Sequence, residues 1–120
     1  MAANKEKYIQ EHIAKGVCDE RGAVFHATAV KLPDGNFGMV TLGVKGNVLS
    51  IFDCNMKGII GEALYSIPLK DVSDVKINDN FFAELIKGYS LRFTHNGFTY
   101  TFKNAAMQKN ALAVIRSEAE

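Results

Sequence analysis

From Val24 onward the chain alternates with a period of two: Val24, His26, Thr28 and Val30 interleave with Phe25, Ala27, Ala29 and Leu32 in a stretch rich in β-branched residues. That pattern predicts a first strand beginning at Ala23. Pro33, Asp34, Gly35 and Asn36 predict a tight turn, Pro by fixing one dihedral and Gly or Asn by tolerating positive φ. A second strand runs from Gly38 to Val44, and Lys45, Gly46 and Asn47 reverse the chain into a third, Val48 to Asp53, so that the pair reads as a hairpin. Before these strands the period is different. Tyr8, Ile9, Ile13 and Val17 recur at helical spacing over Ala3 to Ala14, Lys5, Glu6, Glu11 and Lys15 lie opposite, and Gly16 ends the segment. This predicts a short amphipathic helix, laid against the domain or offered to a partner.

The two glycines of Asn55 to Gly61 mark a loop that carries Lys57, Ile59 and Ile60. Alternation resumes from Glu62 to Leu69, with Pro68 confined to a strand end or sheet edge because it cannot donate to a ladder. A short fifth strand holds Val72, Val75 and Ile77, with a kink near Ser73 and Asp74. Phe81 to Ile86 fits a helical turn or a strand edge equally well. Tyr89, Leu91 and Phe93, then Phe98, Tyr100 and Phe102, alternate on either side of His95-Asn96-Gly97, which predicts a type I′ hairpin because both central residues need positive φ. Asn104 is placed to cap a final helix over Ala105 to Arg116, whose Met107, Ala111, Val114 and Ile115, with Leu112 beside them, share one face. About seven strands and one closing helix make an antiparallel barrel, or a pair of crossed sheets, with the helix plugging an open end.

The 120 residues suffice for one domain, and 48% apolar with 22% charged residues excludes a disordered chain. Fourteen Lys and Arg against thirteen Asp and Glu give a net charge of +1, which is no basis for nucleic-acid binding. The signs stay balanced along the chain, so no linear stretch draws phosphate or anionic lipid unaided. Cys18 and Cys54 belong to no metal-ligand spacing, His12, His26 and His95 are scattered, and neither metal nor cofactor is implied. The polar N-terminus lacks the apolar core of a signal peptide, and no apolar run approaches the ~18 residues of a membrane span, so a reduced, cytoplasmic protein is expected.

The succession Ile67-Pro68-Leu69-Lys70-Asp71-Val72-Ser73-Asp74-Val75, followed by the hairpin Ser90 to Thr94 and Tyr100 to Phe102 and an Ala-rich terminal helix, resembles the second half of a pleckstrin-homology-like domain, most of all its bacterial PH and GRAM-type branch. The resemblance spans roughly residues 23 to 118. It implies a mainly β fold with α: a two-sheet antiparallel barrel of about seven strands capped by a C-terminal helix. Residues 1–22 would be an N-terminal helical extension and 23–120 the barrel. Lipid-binding members of the family carry a basic cluster on the first hairpin; Lys31-Leu32-Pro33-Asp34-Gly35-Asn36 offers one Lys and one Asp, a departure that argues against inositol-lipid binding.

No residue set has a catalytic signature. Asp71, Asp74 and Asp79 read as turn and strand-end acids, His26 and His95 are explained by position, and Cys54 reads as a buried thiol despite the nearby Lys57. Ile59 and Ile60 between two glycines, and the adjacent Phe81 and Phe82, are the surplus apolar residues, and with Lys57 they form the candidate interaction surface. The reading is a non-enzymatic module that binds a protein partner or a second copy of itself. The alternatives are peripheral membrane binding through the N-terminal helix and the Ile59-Ile60 loop, and a small-ligand-binding barrel with a polar interior.

Overall fold

The computed structural model describes residues 2–54, 60–78, 89–105 and 109–119. Its elements are α1 (Ala2–Ala14), β1 (Val24–Lys31), β2 (Gly38–Lys45), β3 (Val48–Cys54), β4 (Ile60–Pro68), a single 3-10 turn (Leu69–Asp71), β5 (Ser73–Asn78), β6 (Tyr89–His95), β7 (Phe98–Ala105) and α2 (Lys109–Ala119). Asn96 (φ 52°) and Gly97 (φ 77°) both take positive φ, as the turn between β6 and β7 requires. Asp74 (φ 53°) supplies the kink expected in β5.

The strands form one antiparallel sheet in the order β4-β3-β2-β1-β7-β6-β5. Of the two arrangements open from the sequence, a barrel or a pair of crossed sheets, the hydrogen bonding follows the continuous one. The reason lies in β1, which pairs with β2 from Val24 to Ala29 and with β7 from Thr28 to Lys31, with a register shift between Ala29 and Lys31. Such an irregularity bends a strand and lets one ladder hand over to another. The sheet curls around a core of Phe25, Leu42, Leu49, Ile51, Ile67, Leu91, Phe93 and Phe102 with Leu69. Residues Ala111, Leu112 and Ile115 of α2 join that core, and α2 touches β2, β5 and the 3-10 turn. Each large side chain buried here contributes roughly 1.5–3 kcal/mol.

Two readings are corrected and one lies beyond the described residues. Asn104 lies in β7, which runs to Ala105 opposite Tyr89, so it is not the cap of α2, which begins at Lys109. The ladder outcompetes the helix because Tyr89 and Phe102 are both buried and hold β7 extended. Strand β4 starts at Ile60 rather than Glu62, since Ile60 pairs with Cys54. The Phe81 to Ile86 segment lies outside the described residues.

The connection from α1 to β1 is clasped by Asp19. Its carboxylate accepts from Arg21 Nε (3.1 Å), Arg21 Nη2 (2.8 Å) and the Gly46 amide (2.9 Å). Arg21 in turn reaches Glu118 of α2 (3.4 Å). These donors, Arg21 first, hold the Asp19 carboxyl down at about 2 from 3.8. Stability from a depressed carboxyl is present above its ordinary pKa and is lost as pH falls through the folded value. Asp19→Asn should lower stability at neutral pH by about 1 kcal/mol, and denaturation midpoints should show less loss between pH 4 and 2 than in the parent chain.

Candidate interaction surface

The outer face of β1 to β4 is where this chain spends its second apolar layer. Val24 with Val17 and Cys18 forms a buried cluster, against which Tyr8, Ile9 and Ile13 of α1, Phe52 of β3 and Ile60 of β4 pack. Helix α1 therefore lies on the sheet, and the intervening chain crosses β2 at Gly43, where the Val17 backbone occupies the space of a side chain.

Beneath α1 sits a polar group of residues that the pattern of alternation alone did not bring together. His26 and Thr41 are cross-strand partners on β1 and β2. His26 Nδ1 lies 2.8 Å from Thr41 Oγ1 and 3.6 Å from Cys54 Sγ, while its Nε2 lies 3.0 Å from the Tyr8 hydroxyl. His12 is buried, donates from Nδ1 to the Tyr8 carbonyl (2.7 Å), and its ring sits 4.1 Å from that of Tyr8. Burial pushes the Tyr8 phenol up to about 12, with Cys54 and Cys18 adding to it. Burial also raises the Cys18 thiol and lowers His26, His12 adding to the latter. These shifts favour the neutral forms of Tyr8, Cys18 and His26, so Tyr8 supplies no phenolate and Cys18 no thiolate nucleophile. Among the described residues no buried side-chain nitrogen or oxygen lacks a partner, and no three His, Cys, Asp or Glu gather as metal ligands. The group acts as a hydrogen-bonded seam that fixes α1 in one register.

Of the residues singled out in the sequence, Lys57, Ile59, Phe81 and Phe82 lie outside the described residues, and Ile60 is half-buried against the α1 layer. A different set is exposed. Phe37 is 80% accessible, Val30 49%, Met39 41% and Leu64 39%. Three of these share the β1–β2 hairpin. Met39 faces outward opposite Thr28, Val30 is exposed at the irregularity between Ala29 and Lys31, and Phe37 stands in the connection just before Gly38. They form an apolar margin beside the area that α1 covers. The signal was present in the sequence: Val30 lies on the His26 side of the first strand, and Phe37 directly follows a turn with no apolar partner beside it.

Among solved structures, the chain resembles the pleckstrin homology domain of the mouse Ethanol Decreased 4 protein, at a TM-score of 0.51 and 15% identity, over 80% of this chain and 84% of that one. It also aligns with the pleckstrin homology domain of ArhGAP27 at a TM-score of 0.43 and 15% identity, over 78% of this chain and 88% of that one. No family model matches the sequence. No curated protein matches it either. With seven antiparallel strands and a closing C-terminal helix, the first likeness gives the chain a pleckstrin-homology-like fold.

Proposed function

We propose that the chain is a non-enzymatic interaction module that binds another polypeptide through the outer margin of the β1–β2 hairpin. The observation that carries this is the clustering of Val30, Phe37 and Met39 on one hairpin. An exposed apolar group beside a well-packed layer marks a contact surface. The small-ligand reading has little support, because the described interior is filled by apolar side chains and the buried polar ones, His12 of α1 and Thr41 of β2, lie where α1 meets the outer face of the sheet. Non-enzymatic action is supported by the neutral, fully partnered state of the His26 seam.

A second copy of the chain is the first partner to test. Light scattering across a concentration series should show a rising mass, and Phe37→Asp should return it to that of a monomer. A strict monomer at the highest concentration would exclude self-association. The membrane reading draws on Phe37 and Lys31 at either end of the same connection, and on no membrane-spanning helix, since none of the described helices is long and apolar enough to cross a bilayer. Sedimentation with phosphatidylserine vesicles at low salt separates the two: vesicle binding lost in Phe37→Asp, without self-association, would replace the polypeptide reading.

A further inference from the structure

The strand register assembles a basic row that the linear sequence hides. Lys31 on β1 pairs with Thr101 on β7, Thr101 with Arg92 on β6, and Arg92 with Lys76 on β5. Three cations therefore stand in one line across four strands, Arg92 and Lys76 one strand spacing of roughly 4.8 Å apart and Lys31 two spacings from Arg92 with Thr101 between them. Lys103, two residues along β7 from Thr101, points to the same face about 7 Å away. All four are exposed, and among the described residues none has an ion-pair partner. Among the described residues the carboxylates at either end of the row are engaged elsewhere: Asp34 accepts from the Asn36 backbone and side-chain amides, and Asp74 lines a separate groove with Arg116.

Arg92 directly opposite Lys76 is a like-charge cross-strand pair, an arrangement that weakens a sheet. Both line a shallow groove of about 260 Å³ with Lys103, Ser90, Thr101 and Asn78 over an apolar floor of Ile77 and Leu91, so hydroxyl and amide groups stand among the cations. Convergent cations with neutral donors between them are the chemistry that receives carboxylate or phosphate oxygens.

We infer that this face of β5 to β7 binds an acidic segment of a partner polypeptide. Charge complementarity selects an anion, and the shape of the sheet selects a chain over a membrane. Adjacent strands rotate by about 20–25°, so the outward normals of β1 and β5 differ by roughly 60–75°. A planar bilayer cannot meet Phe37 and Lys76 together, whereas an extended chain follows the curve from Lys31 to Lys76. The inference deepens the polypeptide-binding reading, since Val30 of the apolar margin adjoins Lys31, but it stands on separate residues.

The test uses the full chain and a fluorescein-labelled oligoglutamate of about twelve residues, followed by anisotropy, with a Gly-Ser peptide of equal length as control. Binding should be present at about 20 mM salt and fall steeply by about 200 mM. Arg92→Glu and Lys76→Glu should each weaken it roughly tenfold, while Lys45→Glu, an equal change of net charge at an exposed site remote from the row, should change it less than about twofold. Arg92→Glu replaces a repulsive pair with an attractive one, so its thermal midpoint should equal or exceed that of the parent, which separates lost binding from lost folding. Absence of peptide binding at low salt, equal losses in Lys45→Glu, or binding to phosphatidylserine vesicles in preference to the peptide would each overturn the inference. Peptide binding that survives Phe37→Asp would uphold the basic row even if the apolar margin proved to have no partner.

Discussion

Gly43→Val should detach the outer layer of the protein at a cost of about 3 kcal/mol. Gly43 is buried on β2, where it pairs with Val24 and Ser50, and its outward side is filled by Val17. A Cβ built there would fall onto the Val17 carbonyl oxygen and its Cγ1, and the oxygen belongs to the backbone, which cannot rotate aside. Relief requires the connection from Gly16 to Ala23 to lift. That movement would carry with it Val17 and Cys18, which anchor the second apolar cluster, and the amide of Asp19, which donates to the Val44 carbonyl at 3.3 Å. The inner core is built from the opposite faces of the same strands and does not include Val17. Hydrogen exchange should therefore show protection lost over α1 and the connection while β6 and β7 stay protected. Protection equal to that of the parent chain across residues 8–23 would show that the crossing is not tight.

The strands and hairpins were legible because each rests on a local rule. Asn96-Gly97 names its own turn, and the alternation of Leu91, Phe93, Tyr100 and Phe102 names the buried face of β6 and β7. The choice between a barrel and a pair of crossed sheets was not legible, because it depends on β1 changing partners at the irregularity between Ala29 and Lys31. Alternation reports a strand's faces and is silent about its neighbours. Asn104 misled for a related reason: a cap signal is local, and the pairing that keeps β7 extended to Ala105 is not.

The surface was harder to read than the core. Balanced charge along the chain is a true property of the sequence, yet Lys31, Lys76, Arg92 and Lys103 come from distant stretches and meet only through register. Lys76, Arg92 and Lys103 sit on the outward side of their strands by alternation, whereas Lys31 is in phase with the buried Phe25, Ala27 and Ala29 and joins the row only through the irregularity between Ala29 and Lys31. The His26 seam is similar. Position within a strand explains why His26 faces outward, and only the placement of α1 supplies Tyr8 as its partner.

Removing that partner set gives the second large effect. His26→Ala should destabilise the chain by about 2–4 kcal/mol, from the lost packing and from the Thr41 and Tyr8 hydroxyls left without their ring-nitrogen partner. Acid should act at the same point. Burial, with His12 adding to it, lowers the His26 pKa, so the unfolded chain binds a proton before the folded one does. The groups facing the ring are Tyr8 and His12 from α1, Thr41 from β2 and Cys54 from β3, with no Asp or Glu carboxylate among them to stabilise an imidazolium. The stability that His26 contributes is complete above its ordinary pKa of 6.5 and declines as pH falls toward the lower folded value, by at most about 1.4 kcal/mol per pH unit. His26→Gln retains a donor and an acceptor but does not titrate, so its stability should be flatter than that of the parent chain between pH 6.5 and the lower folded pKa. Denaturant midpoints measured through that window on both chains decide the matter. Equal slopes would mean that the proton goes elsewhere and that the seam beneath α1 is not sensitive to acid.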